Sequence, residues 1–123
     1  HVSPFYLYHM RRTDTTERID WRVTNTSNTT AFAASTPGDT PINTWTHVAG
    51  TYDGSRVKLY INGIQKDSVS QTGNIKSEST PLVIGRFTNL AGGTWNGIID
   101  EVRLYNRALS SDEIKAIYLS GVR

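Results

Sequence analysis

Two dipeptides, Asp53-Gly54 and Asn62-Gly63, constrain this chain more than any other feature. Each lies between runs of alternating apolar and polar residues, and each supplies the positive φ angles that a tight hairpin turn demands. The stretch therefore predicts three consecutive antiparallel strands, "WTHVAGTY" (45–52), "RVKLYI" (56–61) and "IQKDSVS" (64–70). In the middle strand Val57, Leu59 and Ile61 share the face expected to be buried, with Lys58 and Tyr60 opposite.

Further strand patterns flank this meander. "FYLYHM" (5–10) is aromatic-rich. "ERIDWRVTN" (17–25) places Ile19, Trp21 and Val23 on one side and Arg18, Asp20 and Arg22 on the other. "TTAFAAS" (29–35) is weaker and closes at Pro37-Gly38-Asp39. "PLVIGRF" (81–87) and "IIDEVRLY" (98–105) are expected strands on either side of the Gly-rich loop "NLAGGTWNG" (89–97). Many short strands with turn signals between them indicate a sandwich or barrel. One helix is expected near the C-terminus. Ser110 and Glu113 form a capping box, Leu109 and Ile114 a hydrophobic staple, Ile114, Ile117 and Tyr118 an apolar stripe, and Gly121 a stop.

Composition narrows the function. The 123 residues suffice for one domain with its own core. Thirteen basic and eleven acidic residues leave a net charge of +2 with no block of like charge, which argues against a nucleic-acid partner. The absence of cysteine excludes disulfides and thiolate chemistry, and no stretch has the length of a membrane span. The chain opens on His1, so an excised or mature piece is expected.

"WTHVAGTYDGSRVKLYINGIQ" (45–65), "PLVIGR" (81–86) and "WNGIIDEVRLYNRALSSDEIKAIY" (95–118) together resemble the laminin G-like, pentraxin-like jelly-roll domains of the concanavalin A-like lectin/glucanase superfamily. The resemblance implies an all-β fold, an antiparallel jelly-roll β-sandwich with one short C-terminal helix. It implies one domain over 1–123 that corresponds to the later two-thirds of a full-length module, because the opening strands of the family pattern are not evident before Phe5. A sandwich short of strands exposes edges and apolar surface, so a rearranged edge or a homo-oligomer is expected.

The resemblance further implies a non-catalytic recognition module of an extracellular or cell-surface protein, with a glycan or an extracellular protein as partner. The alternatives are an assembly domain that oligomerises through open sheet edges and, less favoured, a glycoside hydrolase remnant. Retaining hydrolysis needs two carboxylates about 5 Å apart across one sugar. Asp100 and Glu101 are neighbours that alternation sends to opposite faces, so no enzyme is expected. The polar face of Arg18, Asp20 and Arg22 is the candidate ligand surface. Asp100, on a strand face shared with Ile98, Val102 and Leu104, is expected to need either backbone hydrogen bonds or a calcium ion. It is the single side chain assigned to such a metal, whose coordination sphere takes six or more oxygens. Trp45 and Trp95 are expected as framework, and His47 as a packed or surface side chain. Asn25-Thr26-Ser27 and Asn28-Thr29-Thr30 match the N-glycosylation pattern.

Overall fold

The structure is a computed structural model that describes residues 8–13, 17–79, 81–86 and 94–121. Its described strands form two three-stranded antiparallel sheets. The first contains β1 (Tyr8–Thr13), β2 (Arg18–Thr24) and β3 (Thr30–Ala34), in that order. The second contains β4 (Val48–Tyr52), β5 (Arg56–Ile61) and β6 (Ile64–Ser70), again in sequence order. The helix α1 (Ser111–Ser120) follows.

The turn chemistry produces the second sheet as expected. Asn62 (φ 49°) and Gly63 (φ 77°) are both left-handed, which joins β5 to β6 directly. At the other hairpin Gly54 takes φ 91° and the Asp53 carboxylate accepts the backbone N–H groups of Ser55 and Arg56 at 2.9 and 2.7 Å. A register shift between Leu59 and Tyr60 marks a bulge against β6.

The two sheets bury a common core. Ile19 and Val23 of β2, Ala33 of β3, and Val57, Leu59 and Ile61 of β5 pack together, with Trp21, Val48, Tyr52 and Val69 at the margin. Trp21 enters this space because Gly50 offers no side chain. A Cβ on Gly50 would stand 2.3 Å from the indole. The indole Nε1–H instead donates to the Thr51 carbonyl at 3.2 Å.

A buried polar cluster holds the sheets in place where the chain crosses from the second back to the first. The Asn25 side chain donates to the Thr72 carbonyl and to Gln71 Oε1, at 2.8 and 3.3 Å, and accepts from the N–H groups of Ser27 and Thr29. Gln71 Nε2 donates to the Thr29 carbonyl at 2.8 Å. Backbone bonds from Thr26 to Asn74 and from Lys76 to Thr24 complete the crossing. Asn25 and Gln71 are both buried, so each needs these partners.

The helix forms as its sequence predicts. Ser110 Oγ accepts from Glu113 N–H, and the Glu113 carboxylate accepts from Ser110 N–H and from Arg107. Ile114 is buried, and Tyr118 lies over the Asn62–Gly63 turn beside His47. Gly121 is the C-cap, but at φ −112° it ends the helix without the left-handed geometry.

Three expectations are corrected. Residues 81–86 and 98–105 belong to no strand; Arg86 forms only an isolated bridge with Thr94. A strand needs a neighbour to satisfy its backbone, and no described strand lies beside these segments. Second, Asp100 does not sit on a core face, because Ile98, Val102 and Leu104 are 77%, 52% and 64% exposed. Third, Trp45 and Trp95 are exposed and take no part in the described core. The expected strand over 5–10 and the loop over 89–97 lie partly outside the described residues.

Candidate functional site

The outer face of the first sheet carries the polar residues that alternation assigns to it, in an arrangement alternation does not reveal. Asp20 has no exposed surface. Its carboxylate accepts two bonds from the Arg22 guanidinium, Nε to Oδ1 at 3.0 Å and Nη2 to Oδ2 at 3.3 Å. A buried carboxylate demands such a partner, and the fork geometry fixes the guanidinium plane. Arg22 stands opposite Phe32 in the β2–β3 register, and its guanidinium carbon lies 4.8 Å from the ring centroid. Phe32 is nonetheless 45% exposed. Arg18 lies on the same face and is half-buried. The result is a fixed cation on an accessible aromatic ring, rather than three solvated charges.

Phe32 is the residue that reading the sequence missed. The run 29–35 is too short and small in side chain to announce an exposed ring, and only the strand register brings it to Arg22.

An open cleft of about 360 Å³ lies between the outer face of β4–β5 and the start of α1, lined in part by Asp53, Lys58, Tyr60, Ser110 and Glu113. Its two carboxylates are committed to structure. Hydrogen bonds from the Ser55 and Arg56 backbone hold Asp53 below the usual carboxylate range. The Arg107 bond and Ser110 N–H lower Glu113 to about 2. A glycosidase acid needs the opposite shift, so neither group is prepared to protonate a leaving sugar.

Asp100 Oδ1 accepts the Glu101 N–H at 2.8 Å, and Glu101 stands at φ 52°. Among the described residues no group of three or more His, Asp or Glu could hold a metal ion. Residues 89–93 of the neighbouring Gly-rich loop lie outside the described residues.

His47 is half-buried against Tyr118, with ring centroids 5.9 Å apart, and its buried Nδ1 has no hydrogen-bond partner among the described residues. Burial pushes its pKa down, Arg103 adds to that shift and Glu101 opposes it.

The laminin G family model of the concanavalin A-like lectin/glucanases superfamily matches residues 5–115. The chain belongs to this family. No curated protein matches it. Among solved structures, this laminin G-like chain is similar to an S-layer domain-containing protein from Clostridium thermocellum, at 21% identity and a TM-score of 0.53. That match covers 96% of the present chain and 66% of the solved one, so the chain spans less than two thirds of its length. At this identity the likeness speaks to the fold, which agrees with the sandwich of two antiparallel sheets and a terminal helix.

Proposed function

We propose that the chain is a non-catalytic recognition module that binds carbohydrate through the outer face of its first sheet, as part of an extracellular or cell-surface protein. The observation that carries this reading is the Arg22 guanidinium, held by buried Asp20 across the exposed ring of Phe32. An apolar ring offers a platform for the C–H face of a sugar, and the neighbouring guanidinium offers N–H donors to hydroxyl or carboxylate oxygens. Arg18 adds positive charge to the same face, which suits a glycan bearing acidic groups. Membership of the family and the S-layer protein's description support a surface setting. A protein partner could use the same residues, and it is the competing outcome of the test.

The test is a glycan array followed by calorimetry on the ligands it returns. Phe32→Ala and Arg22→Ala should each weaken binding at least about tenfold, the effect of about 1.4 kcal/mol. Arg22→Ala also removes a partner of buried Asp20, so its thermal melt must be followed alongside; Phe32→Ala leaves that pair intact. Sugar binding unchanged by Phe32→Ala would refute this surface as the site. An empty array combined with capture of a protein by the wild type, lost in Phe32→Ala, would reassign the partner.

A further inference from the structure

We infer that residues 98–106 form the contact between two copies of this chain, pairing antiparallel about a two-fold axis through Val102. The inference does not depend on the carbohydrate reading. The segment alternates as a strand should, yet it lies in no strand and exposes Ile98, Ile99, Val102, Leu104 and Tyr105. An exposed apolar segment with a strand pattern and no sheet neighbour is a candidate for strand addition.

The charge pattern selects a second copy as the occupant and fixes the register. In an antiparallel pair related by a two-fold axis normal to the sheet, the residue on the axis faces itself. Placing Asp100, Glu101 or Arg103 on the axis would set like charges against each other. Placing Val102 there sets Glu101 against Arg103 of the second copy, twice by symmetry. The same register pairs Ile99 with Tyr105 at both ends, an aromatic–β-branched pair of the kind that stabilises sheets. Val102 meets Val102 at the centre. Moving the axis to Leu104 would call on Arg107 to face Glu101, but Arg107 is already bound to Glu113 at 2.6 Å. The Val102 register therefore pairs opposite charges at 101 and 103 and apolar side chains at 99 and 105, with Asp100 set against Leu104. It also returns Glu101 from its left-handed φ of 52° to an extended conformation.

Cysteine cross-linking tests the register directly, since the chain has no cysteine of its own. Facing residues of an antiparallel pair lie within disulfide reach. Under mild oxidation Val102→Cys should give a covalent dimer, whereas Glu101→Cys, which faces position 103, should not. Light scattering on the unmodified chain should give twice the chain mass at high concentration. Glu101→Arg should shift the chain to monomer, and adding Arg103→Glu in the same chain should restore the dimer. Circular dichroism and a thermal melt establish that each variant is folded. The proposal is overturned by a wild type that stays monomeric, by equal cross-linking at 101 and 102, or by a dimer indifferent to both charge changes. A monomer that binds an unrelated strand at 98–106 would likewise overturn it, assigning the edge to a different partner.

Discussion

At the scale of single residues, the chain shows how a small side chain determines what a large one can do. Trp21 occupies the inter-sheet space only because position 50 is glycine. A methyl group there would overlap a rigid aromatic ring. Gly50→Ala should therefore destabilise the domain by about 1–3 kcal/mol, read as a lower denaturation midpoint at unchanged m-value. Pairing it with Trp21→Leu should recover part of the loss, because the clash disappears. None of this was legible beforehand: alternation placed Trp21 on the core face correctly, but nothing in "HVAG" says which residue the indole meets. Asp20 carries the same lesson on the other face. Its position on the polar side, on the same strand face as Arg22 two residues on, was readable, whereas its complete burial was not.

Among the secondary-structure elements, those specified by local chemistry were readable and those that need a neighbour were not. The β4–β6 meander follows from Asp53-Gly54 and Asn62-Gly63, and the helix from Ser110 and Glu113. Residues 98–105 have an equally good strand pattern, but a strand cannot satisfy its backbone alone. The helix start also carries a pH signature. Glu113 is lowered from its ordinary 4.5 to about 2 in the fold, first by the Arg107 hydrogen bond and then by Ser110 N–H. A depressed carboxylate contributes stability that is present above its unfolded value. That contribution is lost as pH falls from about 4.5 towards 2. Thermal melts of wild type and Glu113→Gln should therefore differ most near neutral pH and converge at the acid end of that window. A constant difference across the window would assign the effect of Glu113 to packing. Ser110→Ala, which removes the other half of the box, should cost about 1 kcal/mol at any pH in the range.

Across the whole molecule, two sheets built from separate meanders are tied together by more than apolar contact. The crossing at residues 71–76 returns the chain to the first sheet, and the Asn25–Gln71 cluster seals it. Removing Gln71 takes from the Thr29 carbonyl one of its two donors and from the Asn25 amide one of its two acceptors, and leaves the other bond of each in place. Gln71→Ala should cost about 1–3 kcal/mol, with hydrogen exchange faster at the β2–β3 turn than in β5. The family and the sandwich were recognisable from motif order along the chain. The outer-face cation and its ring, the candidate site, were half recognisable, since register rather than sequence spacing joins Arg22 to Phe32.

The same cluster bears on how the chain must be produced. Asn25 opens one of two adjacent acceptor sequons, and its amide nitrogen is the atom that bonds Thr72 and Gln71. Oligosaccharide transfer acts on that nitrogen, and a bulky glycan there has no place in the folded sandwich. Asn28, three residues on, is exposed and can carry one. In a eukaryotic secretory host, modification at Asn25 would mark chains that never closed the crossing, and modification at Asn28 alone would be compatible with the native fold. One sequon thus doubles as a record of each chain's folding history.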